Sequence, residues 1–157
     1  MADRDRPAIR ALDLPARTTS IYPPAFVKPL EGRAKRALGD AFGLTQFGVN
    51  YTTLAPGAAS AERHWHAIED EFVFVLEGEV TLVDDTGETL LTPGMCAGFR
   101  SGVANAHKLV NRSGAPAAYL EVGTRSATES VDYPDVDMKA TKTGGKFTFT
   151  HKDGTPY

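Results

Sequence analysis

From Leu44 to Val122 the chain breaks into eight short runs rich in β-branched and aromatic residues, with Pro and Gly clusters between them. The runs cover roughly 44–54, 61–67, 71–76, 79–84, 88–92, 96–100, 105–111 and 116–122, and turn signals stand at Pro56-Gly57, Asp85-Thr86-Gly87, Pro93-Gly94 and Ser113-Gly114. Strand-forming residues punctuated in this way indicate an all-β domain, and eight strands at such spacing fit a sandwich or barrel. At 157 residues the chain is one domain by size, long enough to bury about two-thirds of its unfolded surface around one core.

The flanks read differently. Prolines at 7, 15, 23, 24 and 29 interrupt regular helix and favour extended or turning backbone, so residues 1–43 are expected to form an arm. Within it, Ala34, Ala37 and Leu38 have helical spacing, which predicts at most two turns between Gly32 and Gly39 with Arg33, Lys35 and Arg36 as a solvated face. Residues 44–123 are the barrel core, and 124–157 an extension packed on it. That extension is expected to hold a polar loop over 125–145, then a docked tail strand at Phe147–His151 before the Asp153-Gly154 turn.

A net charge of −3 offers no broad positive field, which argues against nucleic acid as a partner. Cys96 is the one cysteine, so no intrachain disulfide can form, and it is expected to be a buried packing residue. The first residues alternate acids and bases without an apolar run, and no stretch reaches transmembrane length. The expectation is a soluble cytoplasmic protein with no membrane partner.

Three of the four histidines stand where strand geometry can use them. In His64-Trp65-His66 the two imidazoles, two residues apart, project to one face while Trp65 points to the other. Glu71 opens the run Glu71–Leu76, and a short turn would bring its carboxylate back beside them. His107 lies in a run that can neighbour the first, since paired strands are only about 4.8 Å apart. Imidazoles with one carboxylate suit one divalent ion, Zn, Fe, Mn, Ni or Cu, with room left for water or substrate. Glu71 is either a ligand or a general base that takes a proton from bound water. No phosphate-binding glycine loop, Cys-x-x-Cys pair or nucleophile-elbow serine is present. Arg63, Arg100 and Arg125 flank these segments and are candidates for an anionic substrate, although each singly fits a solvated rim. Asn111 is assigned a turn-closing hydrogen bond near Asn111-Arg112-Ser113-Gly114.

Gly57, His64-x-His66, Glu71 and Gly78 together resemble the first cupin motif, with one extra residue after the first glycine. Gly87, Pro93, Gly102, His107 and Asn111 resemble the second, which here has Arg100 where proline is usual and a longer gap before the histidine. The Tyr133-Pro-Asp-Val-Asp137 segment and the His151–Tyr157 ending look like a group of bacterial single-domain cupins, some of them labelled sugar-phosphate isomerases. The resemblance implies a double-stranded β-helix, the jelly-roll or cupin barrel, with an N-terminal arm, a C-terminal tail and a metal held by His64, His66, Glu71 and His107 near one open end. It leaves three functions: a metal-dependent isomerase or epimerase of a sugar or sugar phosphate, with Glu71 moving a proton; an iron-dependent oxygenase; or a noncatalytic small-molecule binding module.

Alternation also bears on assembly. If Glu71 faces inward, Val73 and Val75 follow it, and Phe72, Phe74 and Leu76 turn outward. An apolar outer face needs cover from the arm, from the tail strand or from a second subunit, and the expectation is a homodimer.

Overall fold

The computed structural model describes residues 8–157. Three 3-10 turns, Ala11–Asp13, Pro24–Phe26 and Lys28–Leu30, carry the proline-rich arm. Twelve strands follow: β1 (Arg33–Ala37), β2 (Phe47–Leu54), β3 (Trp65–His66), β4 (Glu71–Glu77), β5 (Val80–Asp84), β6 (Gly87–Leu91), β7 (Cys96–Phe99), β8 (Lys108–Val110), β9 (Ala117–Thr124), β10 (Thr128–Tyr133), β11 (Met138–Thr143) and β12 (Lys146–Thr150). The eight runs expected from 44 to 122 are all present as strands.

One layer is the five-stranded sheet β1-β2-β9-β4-β7. The other is built from β12-β11-β10-β3 and β6-β5-β8, which the isolated bridges His64↔His107 and Ala59↔Val110 tie together. Every pairing is antiparallel. The result is an all-β jelly roll whose main core, including Leu54, Val73, Val75, Val80, Leu91, Leu109 and Tyr119, lies between the layers. A second cluster of Val131, Tyr133, Met138 and Ala140 receives Tyr22 and Phe26 from the arm and Phe149 from β12.

Strand β4 shows how alternation sorts one segment into two environments. Val73 and Val75 are 5% and 0% exposed, whereas Phe72 on the outer face is 42% exposed. Gly78 ends the strand at a positive φ of 68°, and a Cβ there would lie 2.5 Å from the Pro116 carbonyl oxygen, so only glycine fits. Asn111 is fully buried and performs the expected closure: its Nδ2 donates to the carbonyls of Leu54 and Ala115, and its Oδ1 accepts from Ser113.

Three expectations need correction. The segment 31–40 is not a two-turn helix: Arg33–Ala37 is an edge strand paired with β2, and only Leu38–Ala41 makes a helical turn. A helix of that length gains little alone, whereas the extended backbone gains a ladder with β2 and a second pairing, Arg17↔Lys35, on its free edge. Arg33 and Lys35 thereby face inward rather than toward solvent. The segment 125–145 is not a loop but the β10–β11 hairpin, with β12 added as the expected tail strand. Its buried positions alternate through Glu129, Val131 and Tyr133, then Met138, Ala140 and Lys142, so two charged residues inside hide the period-two pattern. Cys96 is exposed, on β7 beside Phe74, instead of buried. Among the described residues no helix is long and apolar enough to cross a membrane.

Candidate metal centre

Backbone pairing brings the histidines together. His64 and His107 exchange both backbone hydrogen bonds, at 3.1 and 2.8 Å, and His66 is held in β3 opposite Val131 of β10. Glu71, the first residue of β4, reaches across from the opposite layer. Its Oε2 lies 2.9 Å from His107 Nε2, 3.4 Å from His66 Nε2 and 3.6 Å from His64 Nε2. The His64 ring centroid is 5.0 Å from that of His66 and 4.9 Å from that of His107. All four residues singled out from the sequence therefore meet at one point.

The rings are oriented from behind. His64 Nδ1 sits 2.8 Å from the Glu62 carbonyl, an arrangement in which Nδ1–H donates and the Nε2 lone pair faces Glu71. His107 stacks flat on Phe99, with centroids 3.5 Å apart and planes 4° apart. His66 Nδ1 lies 3.5 Å from Glu129 Oε2, and the Glu129 side chain is fully buried. Glu129 is the part of the site that sequence reasoning missed, for it stands in a polar stretch and no local motif marks it. Its Oε1 accepts from the backbone N–H groups of Ala67, Ile68 and Ser130, and its Oε2 from that of Glu69 at 2.6 Å. It thus pins the turn that separates His66 from Glu71. Glu69 in turn accepts from Ser126 N–H and pairs with Lys142.

Burial alone would raise the Glu71 pKa, but the hydrogen bond with His107 and the close approach of His64 and His66 outweigh it and hold the carboxyl well below its ordinary range. Burial likewise pulls His66 down, but the Glu71 carboxylate outweighs it and leaves His66 raised. His107 goes the other way, lowered chiefly by desolvation. A single carboxylate thus stands among three rings competing for it, and His66 Nε2 has no hydrogen-bond partner among the described residues. Nitrogen donors crowded on one anionic oxygen are the chemistry of a divalent cation site, and the N3O set fits zinc, iron, manganese or nickel with open positions. One oxygen or nitrogen from each of His64, His66 and Glu71 falls within a 4.8 Å span, and His107 adjoins through Glu71.

These residues line a cavity between the layers that Tyr22, Arg33, Tyr119 and Tyr133 also line. The arginines picked from the sequence are elsewhere. Arg63 forks onto Asp135 at 2.7 and 2.8 Å and also meets Asp85. Arg125 pairs with Asp40 and the Leu44 carbonyl. Arg100 lines a second pocket with Trp65, Val103 and Asn105, on the other side of His66 and His107, which also line it.

Comparison with known proteins agrees with this fold. The family model described as Cupin domain matches residues 50–123. A sugar phosphate isomerase of a cupin superfamily from Silicibacter pomeroyi is 47% identical over 96% of this chain and 96% of its own, with a TM-score of 0.92. A protein from Acidithiobacillus ferrooxidans, provisionally described as a sugar phosphate isomerase, is 30% identical over 80% of each chain, with a TM-score of 0.73. The polyketide cyclase RemF from Streptomyces resistomycificus, at 23% identity over 76% of this chain and 79% of its own and a TM-score of 0.62, shares the fold. No curated protein matches.

Proposed function

This chain belongs to the cupin superfamily, and from that premise we propose that it is a metal-dependent isomerase or epimerase of a small sugar or sugar phosphate. In this reading His64, His66, Glu71 and His107 hold one divalent ion. The observation that carries it is the convergence of three imidazole Nε2 atoms within 3.6 Å of Glu71 Oε2, inside a cavity wide enough to be shared with three tyrosines and two arginines. When bound, the ion supplies Lewis acidity toward a substrate carbonyl or hydroxyl oxygen.

The protein's own groups do the rest. Glu71 is ionised at neutral pH and stands where it can take a proton from carbon or from a hydroxyl, in addition to or instead of ligating. Burial keeps the Tyr22 hydroxyl protonated, its pKa pushed up to about 12, and raises that of Tyr133 as well, so neither serves as a base, and the pair, hydrogen-bonded to each other, offers a donor to substrate. The two rings meet edge-on at 5.6 Å, and Tyr133 lies 5.7 Å from the His64 ring. The two similar proteins described as sugar phosphate isomerases support the substrate class.

The test is a panel of aldose and ketose phosphates followed by NMR, with the protein assayed under nitrogen before and after chelation. Interconversion that needs metal and no oxygen is the expected result. Iron-dependent oxygen uptake would make the protein an oxygenase, and tight binding of a panel member without turnover would make it a binding module.

For assembly the reading includes a homodimer through the outer face of β4. Phe72 pairs across to Val122 and Val49, and Phe74 to Leu120 and Tyr51, which makes an apolar band over three strands. The described arm pairs with β1 and the tail with β11, while Phe72 stays 42% exposed, so a second subunit is the cover that suits this face. An exposed Cys96 beside that face suits the reducing cytoplasm.

A further inference from the structure

The cavity that holds the histidines and Glu71 has an opposite electrical character at β1. Arg33 is only 9% exposed, lines the cavity, and donates from Nη1 to the Ser60 carbonyl. Among the described residues no carboxylate stands within ion-pairing distance of it. Lys35, two residues on and on the same face, does have a partner: its Nζ lies 2.7 Å from Glu121 Oε1, which Asn50 Nδ2 also reaches at 3.2 Å. The neighbouring cation is therefore neutralised, and Arg33, among the described residues, is not. Arginine is almost never this buried unless paired, and a guanidinium keeps its charge and its five N–H donors in any environment.

A second observation stands beside it. Tyr119 lines the same cavity at 1% exposure. Its register partner Thr52, fully buried, brings Oγ1 beside the Tyr119 hydroxyl, and neither has another hydrogen-bond partner among the described residues. Buried polar groups so poorly satisfied are rare in folded proteins, and here they cluster on a cavity wall with a cation that has no carboxylate partner among the described residues.

We propose that Arg33, with the Tyr119 hydroxyl as a second donor, is the subsite that takes an oxyanion of the substrate, a carboxylate or a phosphate, while the reacting carbon faces Glu71 and the three histidines. The planar fork of Arg33 suits two oxygens of such a group. Arg17, exposed on the cavity wall and paired through its backbone to Lys35, adds positive potential along the entry. This inference rests on the reading of the cavity as a substrate pocket, and it narrows the substrate to an anionic one held at two ends.

The experiment compares glycerol 3-phosphate, glycerate and glycerol as ligands of the purified protein by calorimetry, with metal content measured on each sample. At least one anion should bind tenfold or more tighter than glycerol, and which one does separates phosphate from carboxylate. Arg33→Gln should lose that tenfold preference, Arg33→Lys should recover part of it, and both should keep the parent's metal content. In the unaltered protein the Arg33 Nε–H resonance should shift on adding the preferred anion, a readout that survives if Arg33→Gln does not fold. Equal binding of glycerol and both anions, or an unmoved Arg33 resonance, overturns the subsite. Anion binding through Arg33 in a protein shown to lack metal would uphold the subsite and sink the isomerase reading alone.

Discussion

Two glutamates, Glu129 fully buried and Glu71 half-buried, flank His66 and do opposite jobs. Glu129, behind the ring and 3.5 Å from Nδ1, has its oxygens filled by four backbone N–H donors. Glu71, in front of the ring and 3.4 Å from Nε2, has one oxygen crowded by three imidazoles and no backbone donor among the described residues. A carboxylate held by four fixed amides is a structural part, because they set its position whatever binds nearby. One faced only by side chains that are themselves ligands has its coordination to give. The difference lies chiefly in their partners, and on the proposed reading it gives Glu129 positioning and Glu71 chemistry.

Removing Glu129 should have the larger effect on stability. Glu129→Ala leaves the N–H groups of Ile68, Glu69 and Ser130 without that acceptor, Ala67 keeping the Ser130 carbonyl, and at about 1–3 kcal/mol for each buried unsatisfied group the loss should reach about 3 kcal/mol. Urea unfolding in excess chelator checks it, since the loss should persist without metal. A drop of less than ~1 kcal/mol there would erase the contrast.

Metal should come next. At a free concentration a hundredfold above its dissociation constant, an ion that binds only the folded state adds about 2.7 kcal/mol. Chelation should therefore lower the melting temperature of the unaltered protein and leave Glu71→Gln unmoved. An equal shift in both would remove Glu71 from the ligand set.

A smaller effect appears in acid. Glu71 has a folded pKa below the ordinary value of about 4.3, so in chelated protein it contributes stability above that pH and loses it as pH falls toward the folded value. Stability measured from pH 6 to pH 3 should decline less steeply in Glu71→Gln than in the parent. Identical slopes would mean that the carboxylate is not held down by the rings.

How much of this could be seen in the sequence depended on whether the pattern was local. Alternation placed Val73 and Val75 inside and Phe72 outside, and the His64-x-His66, Glu71 and His107 set met as the spacing implied, since each is positioned by its own strand or next neighbour. Strand β1 was hidden because its extended form comes from β2, not from its own residues. The β10–β11 hairpin was hidden because Glu129 and Lys142 occupy inward positions where an apolar residue would have marked the period. Arg33 was lost for the same reason, a charge on an inner face read as a charge on an outer one. The outer face of β4 is the local pattern still open to test: Phe74→Asp should convert a mass near 34 kDa, twice the 16.8 kDa chain, to that of a single chain in light scattering. A variant that stays dimeric and stable would move the interface to another face.

The claim at the centre is that His66, held from behind by Glu129, binds metal in front with Glu71. Elemental analysis of tag-free protein purified without chelator, run beside His66→Ala, tests it most directly. The account predicts close to one divalent ion per chain in the parent and almost none in the variant, with both folded by circular dichroism. Full occupancy in His66→Ala, or none in the parent after growth with added zinc, iron, manganese and nickel, would contradict it.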